Sequence, residues 1–325
     1  MYRVLKEHAV LRLLMCAAGL ALCALALLFP DVKEALDRFW HCFKPFPISE
    51  SDGALSSVFP WIHESACLCL ITLGVIIHFF AAYQPAGTIF SCMAAFCVLS
   101  ITRDIQLPWL LALFITLAAG MVIGGLRGFL MPKKKRACFL SGIMLDLIAV
   151  FTLPLFLSRT ESIFPVPLLS PQRFTISSPI ALICVLACML LFRSGAGMTV
   201  KSALFQRQDA ERASQGRLAV AMAISDTFIF LGAGLLGLMG VSGDVYFCIE
   251  LGIRSFASAC LSLFNPFGAL LSSMGVQFIV NSSARLADHP AAAVLPELFS
   301  AGVIFVYSFR RMLIGRQPTK GRIGE

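Results

Sequence analysis

Long apolar runs that are nearly free of charge constrain this chain more than any other feature of its sequence. They recur throughout 325 residues, of which 58% are hydrophobic and only 14% are charged, whereas a soluble domain has about 25% charged residues. Runs of about 18 or more apolar residues can cross a bilayer as helices, in which every backbone polar group is bonded internally. The sequence therefore predicts an all-α polytopic membrane protein with about ten spans, at 9–29, 65–82, 86–101, 107–126, 138–157, 179–193, 218–240, 245–263, 265–281 and 291–309.

Basic residues cluster at the ends of a few predicted spans. Arg3 and Lys6 precede the first span, and three stretches follow the fourth, sixth and tenth: RGFLMPKKKR, RSGAGMTVKSALFQRQDAERASQGR and RRMLIGRQPTKGR. Because loops rich in Lys and Arg remain in the cytoplasm, this order predicts a multi-pass inner-membrane protein with cytoplasmic N- and C-termini. A single transmembrane domain is predicted over 1–325, with an outer segment at 30–64, a cytoplasmic coupling region at 194–217 and a cytoplasmic tail at 310–325.

The stretch GIRSFASACLSLFNPFGALLSSMGVQF, residues 252–278, is apolar but carries the turn signal Asn265-Pro266-Phe267-Gly268 in its middle. The three basic clusters fall on one side of the membrane only if 252–281 contributes two spans. We therefore expect a hairpin or a re-entrant pair around Asn265 and Pro266. Non-helical backbone at membrane depth has to be buried in protein or line a wet cavity, so this turn is expected to face other helices.

The sequence contains none of the common motifs of covalent or metal chemistry. It has no G-x-S-x-G, H-E-x-x-H or Walker A lysine motif, so we predict no enzyme activity and no cofactor. The twelve cysteines lack the spacing of zinc ligands and are expected to pack between helices. The net charge of +8 is explained by the cytoplasmic loops, and no nucleic-acid binding is predicted. The first apolar run is as long as a full span and is interpreted as a retained helix.

Two aspartates lie inside predicted spans. Asp146 and Asp226 each follow a basic cluster by about nine residues, which puts them about 13–15 Å deep in a helix that rises 1.5 Å per residue. Ionisable groups at that depth are costly and usually face a cavity or a partner. Two interpretations remain open, a polar lining of a translocation path and a hydrogen-bonded carboxyl that joins two helices.

Other polar and small residues within the spans have structural explanations. Glu250 and Arg254 are one helical turn apart and are expected to pair with each other. His78 is expected to be a packed helix residue and no metal ligand. Glycines recur at three- and four-residue spacing in AAGMVIGGLRG and FLGAGLLGLMG, a pattern that allows helix backbones to approach closely.

Several stretches together resemble one family of membrane proteins. The family's Gly, Phe-x-Ala, Asn-Pro-x-Gly and final Phe pattern is similar to GIRSFASACLSLFNPFGALLSSMGVQF. Its Gly-rich helix, basic loop and Met-Leu-Asn-x-Ile-Ala helix are similar to AGMVIGGLRGFLMPKKKRACFLSGIMLDLIA. Its cytoplasmic coupling region and next helix are similar to GMTVKSALFQRQDAERASQGR followed by AMAIS. The chain thus resembles a permease subunit of ABC importers in the branched-chain amino acid and ribose permease superfamily, within the nucleoside, simple-sugar and riboflavin subgroup. The resemblance covers residues 60 to 310.

The resemblance implies a subunit of a larger assembly. A cytoplasmic ATP-binding subunit would dock on the coupling region, a second permease would complete a heterodimer, and an extracytoplasmic lipoprotein would deliver a small polar solute. The residues expected along the substrate path are His78, Gln84, Asp146, Asp226 and Asn265. Those expected to couple to the ATPase are Lys201, Arg207, Asp209, Glu211 and Arg212.

This sequence departs from the family pattern at three places. Asp146 stands where the family has Asn, and Asp226 stands where a Gly usually follows the Ser of the seventh span. A polar segment after the second span is replaced by FFAAYQPAGTIF, which keeps Gln84. Two alternatives follow from the residues themselves. One is a stand-alone cation-coupled carrier with Asp146 and Asp226 as its coupling pair, because ten spans divide into two inverted halves of five. The other is a membrane assembly factor that transports nothing.

Overall fold

A computed structural model describes residues 17, 53–82, 87–131, 135–157, 177–193, 215–239, 243–284 and 290–315 of the chain. Within these ranges all regular secondary structure is helical, as the apolar runs predict. The helices are α1 (Gly53–Ala82), α2 (Thr88–Asp104), α3 (Trp109–Leu130), α4 (Lys135–Leu157), α5 (Ser177–Arg193), α6 (Gln215–Leu238), α7 (Val245–Leu261), α8 (Pro266–Ala284) and α9 (Pro290–Gly315).

Each predicted span from 65–82 onward coincides with one of these helices. The first predicted span, 9–29, lies outside the described residues apart from Ala17. In the part of the chain that the structure describes, three segments are long and apolar enough to cross a membrane, Trp61–Ala81, Trp109–Leu130 and Leu218–Leu238. Shorter apolar helices occur at Thr88–Thr102, Leu140–Thr152 and Ser177–Phe192. These lengths and compositions associate the chain with a membrane.

The residues divide into two compact units. One unit comprises 47–278 and contains α1 to α7 with most of α8, and the other comprises 1–46 and 279–325 and contains the end of α8 with α9. The expectation of a single transmembrane domain over 1–325 stays a prediction. The unit 47–278 contains Arg127, Asp146 and Asp226.

Glycines bring α6 into close contact with α3. A Cβ added at Gly124 would lie 2.5 Å from the carbonyl oxygen of Met222, and one at Gly128 would lie 2.6 Å from the Cα of Ala219. Neither position has room for a larger residue, so the predicted close approach of helix backbones is confirmed. The opposite side of α3 is apolar and exposed, as expected of a surface that faces hydrocarbon, and includes Phe114, Val122 and Leu130.

The other side of α6 packs on α1. A Cβ at Gly232 would lie 2.7 Å from the carbonyl oxygen of Cys67, and one at Gly74 would lie 2.7 Å from that of Ser225. The Ser225 hydroxyl donates to the carbonyl oxygen of Gly74 at 2.7 Å. Helix α6 therefore lies between α1 and α3, and any polar side chain at this three-helix contact is removed from lipid and water.

A short turn joins α7 to α8, as the sequence predicts. Helix α7 ends at Leu261 and α8 begins at Pro266, a residue type favoured in the first turn of a helix. Leu263 and Phe264 have positive φ angles of 53° and 56°, and the Asn265 side chain accepts a hydrogen bond from the Phe267 N–H at 3.2 Å. This backbone conformation reverses the chain within residues 262–265, and Asn265 caps the helix that follows.

Candidate functional site

An arginine near the C-terminal end of α3 is buried among apolar helices. Arg127 is only 6% exposed, and its Nη1 donates to the carbonyl oxygen of Gly87 at 3.1 Å, to the Ser91 hydroxyl at 3.2 Å and to Asp226 Oδ1 at 3.4 Å. Its Nη2 lies 3.2 Å from Nε2 of His78. A buried guanidinium requires such partners, because an uncompensated charge in a low dielectric is strongly destabilising.

The counterion of Arg127 comes from α6. Asp226 is fully buried and lies close to the midpoint of the Leu218–Leu238 segment. Its Oδ1 accepts from the Ser91 hydroxyl at 2.9 Å as well as from Arg127. Its Oδ2 is buried and has no hydrogen-bond partner among the described residues. The carboxyl group therefore retains one oxygen that could accept a proton or a further hydrogen bond.

Asp146 reaches the same place from α4. Its Oδ2 accepts from the backbone N–H of Gly87 at 2.6 Å and its Oδ1 from that of Phe90 at 2.9 Å. The Phe90 N–H belongs to the first turn of α2 and the Gly87 N–H to the residue that precedes the helix, so neither has a partner within the helix. The positive end of the helix dipole also favours a carboxylate there. Asp146 thus caps α2 from another helix, a task that Gly87 has no side chain to perform.

Gly87 forms hydrogen bonds with both Asp146 and Arg127. Its N–H binds the Asp146 carboxylate and its carbonyl oxygen binds Arg127. Its φ angle is +95°, and a Cβ at this position would overlap the Arg127 guanidinium. Residues with a side chain rarely adopt this φ angle, and the contact with Arg127 leaves no space for one, so glycine is required at position 87. We call Arg127, Asp226, Asp146, Ser91, Gly87 and His78 the Arg127 cluster.

His78 completes the Arg127 cluster from α1. It is fully buried, and because arginine can only donate hydrogen bonds, the His78 Nε2 must accept from Arg127. The neutral ring then carries its proton on Nδ1, which has no hydrogen-bond partner in the described part of the chain. His78 is a packed helix residue, as expected, and it holds one end of the guanidinium.

The structure brings three of the five expected path residues together and places one elsewhere. His78, Asp146 and Asp226 all belong to the Arg127 cluster, whereas Asn265 is exposed in the turn before α8. Gln84 lies outside the described residues, as do all the expected coupling residues, Lys201, Arg207, Asp209, Glu211 and Arg212. A contact of any of them with a solute or an ATPase stays a prediction.

Three residues of the Arg127 cluster are not indicated by the sequence patterns, namely Arg127, Ser91 and Gly87. The basic stretch RGFLMPKKKR predicts that Arg127 belongs to the loop after the fourth span, and the structure corrects this because the side chain points into the helix contact. The available signal was its spacing, since Arg127 lies three residues after Gly124 and beside Gly128 on the face that packs on α6. The expected pair of Glu250 and Arg254 is confirmed, with Nη2 and Oε2 2.8 Å apart on α7.

Comparisons of the chain with protein-family models, with curated proteins and with solved structures found no match. The resemblance to ABC-importer permeases therefore stays a prediction. One guanidinium, two carboxyls and one helix N-terminus are held at the contact of five helices, where they fix the positions of α2, α4 and α6 relative to α3.

Proposed function

We propose that this chain is the transmembrane permease subunit of an ABC importer. It moves a small polar solute, of the nucleoside, riboflavin or simple-sugar kind, across the inner membrane as a ten-span protein with cytoplasmic N- and C-termini. The observation that carries the proposal is the Arg127 cluster, because ionisable groups buried among membrane-spanning helices are rare and mark transport proteins more often than inert anchors. The order of the sequence motifs from 60 to 310 supports the choice of family.

The energy for transport comes from a partner in this proposal. A cytoplasmic ATP-binding subunit docks on residues 197–217, a second permease completes the path, and an extracytoplasmic lipoprotein delivers the solute. ATP binding changes the relative populations of outward-open and inward-open states, because the ATP-bound subunit makes different contacts with the two states. A cytoplasmic C-terminal tail requires α7 and α8 to be two separate spans. The tight turn between these two helices is compatible with that requirement.

The first test is purification of the tagged chain, in mild detergent, from the membranes in which it is naturally made. We expect an ATP-binding subunit, a second permease and a binding lipoprotein to be recovered with it. Membrane vesicles that contain the complex should then take up solute only when ATP is supplied. Recovery of the chain alone, under conditions in which a known ABC importer stays intact, would contradict the proposal.

A second candidate, a cation-coupled carrier, is favoured by one observation. Asp226 Oδ2 is buried without a partner among the described residues, which is the arrangement of a carboxyl that can take up a proton. Such a carrier would transport solute without ATP, and its flux would depend on pH or sodium. Substitution of Asp226 by Asn would then abolish the pH dependence of flux, whereas in the importer it would leave the requirement for ATP unchanged.

A further inference from the structure

A line of polar side chains follows one side of α1, away from the Arg127 cluster. Trp61, Ser65 and Thr72 are separated by four and seven residues, a spacing that puts them on one face of a helix with 3.6 residues per turn, and Glu64 lies at the edge of this face. The Thr72 hydroxyl is 3.3 Å from that of Ser273 on α8. This face of α1 is therefore directed at α8.

Helix α8 presents a matching line of polar groups. Gln277 Nε2 donates to Glu64 Oε2 at 2.7 Å, and the Ser273 hydroxyl is 2.9 Å from that of Ser258 on α7. Residue 64 pairs with 277 and residue 72 with 273, so α1 and α8 run antiparallel along this contact. We call the residues of the two lines, together with Ser258 of α7, the polar seam: Trp61, Glu64, Ser65, Thr72, Ser258, Ser273 and Gln277.

Two polar atoms of the seam are buried without a hydrogen-bond partner among the described residues. They are Oγ of Ser65, a residue that is 3% exposed, and Nε1 of Trp61. Buried donors in folded proteins are almost always bonded, so these two groups point to a ligand or a second conformation. Trp61 is the first residue of the Trp61–Ala81 membrane segment, so the Trp61 and Ser65 groups both lie near the same end of the seam.

Aromatic rings close the other end of the seam. Phe79, which is eighteen residues after Trp61 and on the same face of α1, stacks on Phe264 with ring centroids 4.0 Å apart and planes inclined by 19°. Phe264 lies in the turn before α8 with a φ of 56°. The rings of Phe80 and Phe256 are each 6.4 Å from that of Phe264. A solute that follows the seam has to separate the Phe79 and Phe264 rings.

We propose that the polar seam is the route of the transported solute through this chain, and that the solute carries a planar heterocyclic ring. This inference rests on the proposed function and specifies its substrate. The contacts are made in turn along the seam. At one end Glu64 accepts from N–H groups of the ring, and Trp61 and Ser65 donate to its carbonyl oxygens or ring nitrogens. At the other end, about 27 Å away along α1, Phe79 and Phe264 stack on its faces. The side chains of α1 and α8 now bond to one another, so the structure shows the seam closed.

The ring is preferred to a simple sugar because of the aromatic stack. Two phenyl rings that lie nearly parallel can each exchange their partner for a flat heterocycle without losing contact area, whereas a sugar can offer only its C–H groups to the rings and does not reproduce the contact between two aromatic faces. Stacking of a base on an aromatic side chain is sequence-tolerant and strong. A nucleoside or a flavin therefore fits the seam better than a free pentose.

The test that does not depend on transport is thiol accessibility. Ser273→Cys is compared with Thr116→Cys, because both positions carry fully buried hydroxyls and Thr116 lies at the contact of α3 with α6, outside the seam. The full chain in its own membranes is treated with a small, charged, impermeant thiosulfonate, and the parent chain gives the background of the native cysteines. We expect loss of the free thiol at 273 and none at 116, with Thr72→Cys as the second seam variant.

Protection by solute identifies the substrate class. Riboflavin and adenosine are expected to slow the modification of Ser273→Cys, and ribose at the same concentration is expected to leave it unchanged. If both seam variants are as unreactive as Thr116→Cys, the seam does not open and the proposal is wrong. If ribose protects and the two ring compounds do not, the preference for a planar ring is wrong.

A cross-link tests whether opening is needed for uptake. Thr72→Cys with Ser273→Cys should form a disulfide across the seam, whereas the control pair Thr116→Cys with Gly234→Cys joins α3 to α6 at a Cβ separation of 3.9 Å, close to the usual value of about 3.8 Å. We expect oxidation to abolish riboflavin uptake only in the seam pair, and reduction to restore it. Uptake by a fully cross-linked seam pair would refute the route.

The two proposals can fail separately. If wild-type vesicles take up none of the three probes with ATP while Ser273→Cys is accessible and protected by riboflavin, the importer proposal fails and the seam stands as a binding site. If uptake depends on ATP but both seam variants stay inaccessible, the importer proposal stands and the seam is only a structural contact.

Discussion

Asp146 caps the helix that follows Gly87, although 59 residues separate the two in the sequence. A helix N-terminus is normally capped by a side chain within the same turn. The residue at the capping position of α2 is Gly87, which has no side chain. Glycine is needed there because the Arg127 guanidinium occupies the space that a side chain would fill. The cap is therefore supplied by α4. As a result, the start of α2 depends on two other helices, and changes in any of the three are expected to disturb it.

The first prediction concerns this distant cap. Asp146→Asn keeps the size of the side chain but replaces one acceptor oxygen by an amide that donates, so one of the N–H groups of Gly87 and Phe90 loses its partner. We expect a loss of about 1–3 kcal/mol in unfolding free energy, measured by thermal unfolding in detergent. Thr152→Ala, on the same helix with an exposed hydroxyl bonded to the Ile148 carbonyl oxygen, serves as the control and should change little.

The second prediction concerns the buried ion pair of Arg127 and Asp226. Either Arg127→Met or Asp226→Leu leaves the other charge buried without its counterion, a change that typically costs about 3–5 kcal/mol. The double variant removes both charges and should be clearly more stable than the sum of the two losses predicts. Denaturant unfolding of the four proteins in detergent measures this coupling. Strictly additive losses would show that the two side chains do not interact.

The third prediction concerns the glycine between α1 and α2. Gly87→Ala demands an unfavourable positive φ and overlaps the Arg127 guanidinium, so we expect loss of folded protein from membranes. Gly275→Ala is the matched control, because a Cβ at Gly275 meets no atom within 4 Å and alanine is favoured over glycine inside a helix by about 1 kcal/mol. Size-exclusion chromatography of both variants distinguishes them. A monodisperse Gly87→Ala protein would contradict the description of this turn.

The fourth prediction compares two adjacent glycines of α3. Gly124→Ala places its Cβ 2.5 Å from the carbonyl oxygen of Met222, whereas Gly125→Ala meets only the Cβ of Ala223 at 3.9 Å. The first substitution must push α3 and α6 apart, and overpacking of this kind costs about 1–3 kcal/mol. The second should be neutral or slightly stabilising. The melting temperatures of the two variants in the same detergent test this, and equal values would show that α3 and α6 are not in backbone contact.

Much of the fold was predictable because membrane spans are encoded locally. A run of apolar residues in a bilayer has to bond its own backbone, so the helices at Trp61–Ala81, Trp109–Leu130 and Leu218–Leu238, which are long and apolar enough to cross a membrane, follow from the composition of their own segments. The glycines of α3 and the turn at Asn265 were recognisable for the same reason, because small residues and turn formers affect the backbone at their own positions in the sequence. Glu250 and Arg254 were paired correctly because one helical turn fixes their distance.

Two residues show what the sequence by itself left open. It established that Asp146 and Asp226 lie deep in apolar helices, but a carboxyl at that depth is equally consistent with a solute path and with a helix contact. Arg127 was misassigned because three lysines and an arginine follow it closely, and a basic cluster indicates a cytoplasmic loop. Only the tertiary structure shows that the side chain of Arg127 turns inward, because burial of a charge depends on partners contributed by α1, α2 and α6, which are distant in sequence. The spans were thus set by local composition, and the Arg127 cluster by contacts between helices.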